Sequence, residues 1–185
     1  MIFQQKTLCK YIDMLETDKE LQKFVKYVVQ QSRSNLTNLK KNSSKTLYKS
    51  IKGESKLFKN SFGVYFSMED YGHFQDKGVN GLVKNQGSEY SFRKGYPSRQ
   101  MLANLDKWIV RKGIAPRNKE GKFISRQSLK FAIAKKIFRN GIKPSLFFTK
   151  PFEKAFSRLP IELIDKYGLD AITLFNQTIE QPKAR

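Results

Sequence analysis

The sequence contains few of the residues that form disulfides and metal sites. Its one cysteine, Cys9, excludes a disulfide within the chain and any cysteine-based zinc cluster, and fits a chain that matures in a reducing cytoplasm. Its one histidine, His73, has no cysteine or carboxylate cluster at the spacing of a known metal site. We therefore expect no metal and no cofactor.

Long apolar runs and acidic residues are also scarce. No window approaches the roughly 18 uninterrupted apolar residues of a membrane span, and residues 1–6 lack the residue order of a signal peptide. We expect no membrane partner. The 16 Asp and Glu against 36 Lys and Arg give a net charge of +20. Such a charge attracts nucleic acid, anionic lipid or an acidic protein surface, but it does not select a fold.

Apolar residues make up 39% of the chain and aromatic residues 13%, with fifteen phenylalanines, which is enough apolar surface to offset the entropy cost of folding. A length of 185 residues favours one sizeable core over two. We predict a lead segment at 1–16, a single α+β core domain at 17–158 and a C-terminal helical extension at 159–185.

The first half of the chain predicts a long helix followed by a hairpin. Thr17 and Glu20 form a capping-box pattern, which starts the helix at Asp18, and apolar residues follow at three- and four-residue intervals. Alternating patterns predict strands at 45–52 and 57–68, with a turn at 52–55 between them. We expect an antiparallel hairpin packed under the long helix.

The second half predicts a loop and then helices. Glycines and Pro97 in the basic stretch 78–97 predict a long loop, which includes the basic loop at 79–97. Helices are expected at 98–112, 125–140, 151–159 and 160–179, with Gly168 as a candidate break in the last. The predicted fold class is α+β: a small antiparallel sheet packed on a long N-terminal helix, with additional C-terminal helices.

No catalytic motif stands out. His73 lies between Asp70 and Asp76, which could orient its imidazole as a general base requires, but a turn ending at Gly78 explains the same residues. Phosphate-binding loops, nucleophile elbows and paired-acid motifs are missing. We predict that the protein is not an enzyme. A small nuclease, the enzyme alternative, would need His73 in a pocket beside one of the two carboxylates, with room for a metal.

Cations and aromatic rings alternate in the stretch 90–99, a combination suited to a nucleic-acid backbone and its bases. The candidate nucleic-acid contacts are Phe92, Arg93, Lys94, Tyr96 and Arg99. A solvated loop with partly packed aromatics is the other interpretation. Since no sequence-reading motif is present, the alternative function is nonspecific nucleic-acid binding. It requires these cations and Arg111 to converge on one surface, with Phe92 and Tyr96 exposed.

Three segments, in this order, resemble the tail-completion proteins of tailed bacteriophages, which are small head-to-tail joining proteins. They are the long N-terminal helix; strands ending in the aromatic-rich Tyr71-Gly72-His73-Phe74-Gln75-Asp76-Lys77-Gly78; and 141–156, in which a phenylalanine-bearing strand leads into a helix. The stretches 108–114 and 131–138 resemble helical insertions in related phage proteins. The basic loop at 79–97 and the tail after Leu159 are longer than the family's pattern needs.

The resemblance implies a structural protein of the virion neck or tail, assembled in the host cytoplasm. Such proteins form homo-oligomeric rings, here of about six or about twelve copies, stacked between the head portal and the tail. The implied partners are further copies of the chain, portal, adaptor or tail proteins and, at some contacts, packaged DNA.

An interface in such a ring would use apolar side chains that a lone monomer cannot easily hide. The stretch Leu146 to Phe148 is the clearest case, and burial under the C-terminal helix is the other interpretation of it. The candidate protein-interface residues are Tyr71, Phe74, Leu146, Phe147, Phe148 and Phe152.

Overall fold

The computed structural model describes residues 16–58, 61–117 and 120–180, except for the side chains of Leu57 and of 171–180. Cys9 and the rest of the predicted lead segment before Glu16 lie outside these residues. The described elements are α1 (Glu16–Asn38), α2 (Thr46–Ser50), β1 (Lys52–Leu57), β2 (Phe62–Ser67), α3 (Tyr71–Lys77), α4 (Arg99–Arg111), α5 (Arg126–Asn140), α6 (Thr149–Phe156) and α7 (Leu159–Glu180). Within the described parts of the chain, no helix is both long and apolar enough to cross a membrane.

This inventory confirms the α+β class, rich in helix, with a long N-terminal helix and a small antiparallel sheet. The described residues divide into two compact units rather than the single core predicted for 17–158. Of the described residues, the first unit contains those within 16–35, 50–68 and 147–180, and the second contains those within 36–49 and 69–146.

In the first unit, the hairpin packs on α1 as predicted. One face of α1 buries Leu21, Phe24, Val25 and Val28, and Phe66 of β2 packs against this cluster. The glycine opposite it, Gly53, is needed there, because a Cβ at this position would lie 2.7 Å from Val25 Cγ1. The close approach of β1 to α1 therefore depends on a residue without a side chain.

The predicted first strand at 45–52 is wrong. Residues Thr46–Ser50 form the short helix α2, and the residues predicted as a turn belong to β1. Leu47 and Ile51, which suggested alternation, also stand four residues apart, and both are buried. Two apolar positions four residues apart fit a helical turn as well as a strand, so the pattern was too short to decide.

The first turns of the predicted C-terminal extension, 159–185, pack into the core of the first unit. Leu159 and Leu163 of α7 are buried in the same cluster as the apolar stripe of α1. The helix also continues through Gly168, which the sequence offered as a candidate break. Tertiary packing along the preceding turns outweighs the low helix propensity of one glycine.

The second unit contains α2, α3, the long loop and the helices α4 and α5. Ser98 and Ser125 cap α4 and α5 through their hydroxyls, so both helices begin one residue after the predicted start. The two helices are joined by Asp106, whose carboxylate lies 3.1 Å from Arg126 Nε and 3.2 Å from Lys130 Nζ. Their buried side chains are Ile109, Ala134 and Phe138.

The stretch 78–97 is a loop, as predicted, and it is organised around one side chain. Asn80 Oδ1 accepts hydrogen bonds from the backbone N–H groups of Gln86 and Ser88. Val79 pairs with Ile142 through two backbone hydrogen bonds. These bonds satisfy backbone groups that no regular element pairs, so the loop has a defined course.

Candidate interaction surfaces

The motif at 71–78, expected at the end of strands, forms the helix α3 instead. The helix α3 ends at Lys77, and Gly78 follows with a positive φ of 77°, a conformation that favours glycine. Tyr71 and Phe74 are exposed, and the Phe74 ring meets the Tyr90 ring edge to face, with centroids 4.9 Å apart. Both candidate interface residues of this motif are therefore accessible in the second unit.

Tyr71 lies in a partly desolvated environment. Burial raises the pKa of its hydroxyl, the nearby Glu69 carboxylate raises it further, and a hydrogen bond with the Leu47 backbone acts in the opposite direction. The phenol therefore keeps its proton to a higher pH than an ordinary tyrosine does.

His73 is exposed on α3, whereas Asp76 is buried. The backbone carbonyl of Asp76 accepts hydrogen bonds from the N–H groups of Ser145 and Leu146, which fixes this residue in the packing of the second unit. Among the described residues, no group of three or more His, Cys, Asp or Glu side chains could hold a metal ion. An exposed His73 does not meet the geometric requirement of the nuclease alternative.

The stretch Leu146 to Phe148 is not extended, which changes the interpretation of four candidate interface residues. Leu146 has φ 50° and is half-buried, and the two phenylalanines after it form a turn that leads directly into α6. Phe147 is 0% exposed, and its carbonyl accepts a 3.1 Å hydrogen bond from the Asn35 amide. Its side chain belongs to the chain's own core and is not available as an interface residue in this structure.

Phe148 and Phe152 belong to an aromatic cluster of the first unit. Their rings stack 5.9 Å apart, and Phe152 also meets Phe24 at 5.8 Å and Phe66 at 5.9 Å. Because α6 starts immediately after the turn, its first residues are directed onto α1 and the hairpin. Both side chains are half-buried, so most of their apolar surface is used within the chain.

The largest exposed apolar side chains lie elsewhere, and the sequence interpretation missed them. On α7, Ile161, Ile164 and Tyr167 recur at three-residue spacing and are exposed by 67, 72 and 70%. We call these three residues the outer face of α7. The pattern could have been found, because α7 has apolar residues on two sides and its core needs only one.

A second group of exposed apolar residues lies on the α4–α5 pair, defined as residues 99–140. Its members are Val110, Ile114, Phe123, Ile124 and Phe131. Phe123 is also covered on one side by Arg117, whose guanidinium carbon lies 4.1 Å from the ring centroid. Val110 and Phe131 lie on the helices, and the other three lie in the segment that joins them. Isolated exposed apolar residues are normal, but several in one such stretch make it a candidate contact surface.

The candidate nucleic-acid residues divide into two groups. Phe92 is half-buried against Phe138, with ring centroids 4.8 Å apart, so it is used in packing. Tyr96 is 67% exposed and carries the Lys94 ammonium 5.8 Å from its ring centroid. Arg93 and Arg99 are also exposed. Of the five candidate nucleic-acid residues, one stackable ring and three cations are therefore accessible.

Comparison with protein-family models, with curated proteins and with solved structures finds no match to this chain.

Proposed function

We propose that this chain is a structural virion protein of a tailed bacteriophage, forming part of an oligomeric ring in the neck that joins the head portal to the tail. The observation that carries the proposal is the exposed apolar surface on α7 and on the α4–α5 pair. The resemblance of the segments 71–78 and 141–156 to tail-completion proteins supports a position between the head portal and the tail.

Covering the outer face of α7 is energetically favourable. Fully burying an aliphatic or aromatic side chain gains about 1.5–3 kcal/mol, and Ile161, Ile164 and Tyr167 are each more than two-thirds exposed. A subunit that leaves such a face in water gains several kcal/mol when a partner covers it. Rings of identical subunits provide that cover at every contact.

The net charge of +20 bears on the partners. Charges separated by more than about 8 Å are largely screened at physiological salt, so the cations act mainly on whatever they touch. Uniform attraction to DNA inside a channel would hinder its passage. We therefore assign most of the cations to contacts with other copies and with portal, adaptor or tail proteins.

A second candidate function is nonspecific nucleic-acid binding. The observation that favours it is the exposed Tyr96 ring beside Lys94, with Arg93 and Arg99 nearby in sequence and also exposed. Stacking of one base on an aromatic ring is worth about 1–3 kcal/mol, and backbone contacts by cations add a salt-dependent term. Phe92 contributes little, since its ring faces Phe138.

Negative-stain electron microscopy of the purified chain tests the first proposal against the second. We expect annular particles of uniform diameter, unchanged in the variant Arg93→Ala/Lys94→Ala/Tyr96→Ala. Dispersed monomers that bind duplex DNA, with binding abolished by the same three substitutions, would instead support the second candidate.

A further inference from the structure

Charge is distributed unevenly between the two exposed apolar surfaces. The sequence of α7 contains four acidic residues and one basic residue, a formal charge of −3. Of the four acidic residues, Asp170 is buried and the Glu180 side chain lies outside the described residues, so the acidic character of the exposed surface comes from Glu162 and Asp165. Of the helices and strands that the structure describes, α7 alone has a negative formal charge. Glu162 and Asp165 are exposed and lie within the stretch that forms the outer face, so this face is both apolar and acidic.

The α4–α5 pair has the opposite character. The sequence 99–140 contains twelve basic and two acidic residues, a formal charge of +10. One of the two acidic residues, Asp106, is already paired with Arg126 and Lys130. Lys135 and Lys136 are exposed on α5, the helix that also exposes Phe131. This surface is both apolar and basic.

These two surfaces determine which self-contact is favourable. A symmetric contact would place α7 against α7, or the α4–α5 pair against itself, and would oppose like charges in either case. Opposed like charges across an interface cost several kcal/mol, whereas opposite charges speed association and fix the register. Contact between α7 of one copy and the α4–α5 pair of another matches apolar with apolar surface and acidic with basic surface.

We propose that copies of this chain join head to tail, with the outer face of α7 of one copy docked on the α4–α5 pair of the next. The inference rests on the proposed ring, and it specifies the contact that builds it. A head-to-tail contact uses two different patches on each subunit, which is the type of interface that generates closed rings or filaments. The occupant of the acidic apolar face is thus a second copy of the same chain.

A charge-reversal experiment on the full chain tests the contact. One variant carries Glu162→Lys and Asp165→Lys on α7, and the other carries Lys135→Glu and Lys136→Glu on α5. Two control variants make the same changes of net charge at exposed positions outside both surfaces: Glu54→Lys/Glu69→Lys and Lys56→Glu/Lys84→Glu. Far-UV circular dichroism checks that every variant is folded, and mass photometry measures self-association.

We expect each surface variant alone to self-associate at least about tenfold more weakly than the wild type, while both control variants assemble normally. An equimolar mixture of the two surface variants should restore assembly, because each then offers the other a complementary pair of surfaces. If the wild type assembles and either surface variant assembles equally well, the head-to-tail contact is overturned while the ring stands. A wild type that stays monomeric overturns both.

Discussion

The hydroxyl of Thr17 donates a 2.6 Å hydrogen bond to the carboxylate of Asp170, 153 residues further along the chain. The same carboxylate accepts the backbone N–H groups of Glu16 and Thr17, each at 3.0 Å. Thr17 and Asp170 are both buried. Since a helix N-terminus has unpaired N–H groups and partial positive charge, one side chain of α7 caps α1 and fixes the two helices together.

Substitution of this cap should be costly. In Asp170→Ala, the buried Thr17 hydroxyl and two N–H groups lose their acceptor, and an unsatisfied buried donor costs about 1–3 kcal/mol. We expect the free energy of unfolding, measured by urea denaturation at low protein concentration, to fall by at least that amount. The control is Asp165→Ala, an exposed position on the same helix, where a change within about 0.5 kcal/mol is expected. Equal losses in both variants would contradict the capping role.

Two glycines should respond to alanine with opposite signs. Gly53→Ala places a methyl group 2.7 Å from Val25 Cγ1 and 2.9 Å from the Phe66 ring, an overpacking that costs about 1–3 kcal/mol. Gly168→Ala, in the interior of α7 with open space at its Cβ, should stabilise the protein by about 0.5–1 kcal/mol through helix propensity. Thermal unfolding of the two variants checks both signs. A Gly53→Ala protein as stable as the wild type would show that β1 does not approach α1 as described.

The aromatic cluster of the first unit should depend on Phe66. Its ring meets Phe24 at 6.1 Å, Phe148 at 5.3 Å and Phe152 at 5.9 Å. For Phe66→Ala we expect a loss of about 2–4 kcal/mol, somewhat below the loss for a fully buried phenylalanine. Phe62→Ala, on the same face of the same strand but half-exposed, should cost less than about 1 kcal/mol. Denaturant titration monitored by near-UV circular dichroism compares the two, and a larger loss at Phe62 would be inconsistent with the packing.

Tyr71 should make the stability of the protein depend on pH in the alkaline range. Burial raises its folded-state pKa above the ordinary 10.0, so between the two values the folded chain keeps a proton that the unfolded chain has lost. The free energy of unfolding therefore decreases as the pH rises through this interval. Tyr71→Phe should remove this part of the decrease and leave the shape of the curve below about pH 9 unchanged, apart from a constant offset for the lost hydrogen bond with the Leu47 backbone. Parallel curves for the two proteins at all pH values would contradict the raised pKa.

Residue patterns that repeat over several turns predicted their elements correctly. The apolar stripe on α1 runs from Leu21 to Leu36, which is long enough to distinguish a helix from a strand. For α4 and α5, the serine caps and the glycines that follow the helices marked where each helix begins and ends. The segments around Leu47 and Phe147 are too short for a period to decide between helix, turn and strand. In both segments, packing against neighbouring elements decides the local conformation.

The cap of α1 and the two exposed surfaces depend on partners distant in sequence. The capping-box pattern predicted a helix that starts at Asp18, but α1 already includes Glu16 and Thr17, and the Asp170 carboxylate, distant in sequence, supplies a charged acceptor for both of their N–H groups. The sequence of α7 shows apolar residues on two sides, but only the burial of Leu159 and Leu163 in the core identifies which side is the outer face. For the basic loop, composition indicated accessible cations correctly, but it could not show that Phe92 packs on Phe138.

The most direct test of the assembly proposal is the native mass of the wild-type chain, measured by light scattering over increasing protein concentration, with and without a short duplex DNA at near-physiological salt. The account predicts a discrete oligomer whose mass is a fixed multiple of 21.6 kDa and does not depend on the DNA. A monomer at every concentration that binds the duplex tightly would contradict it.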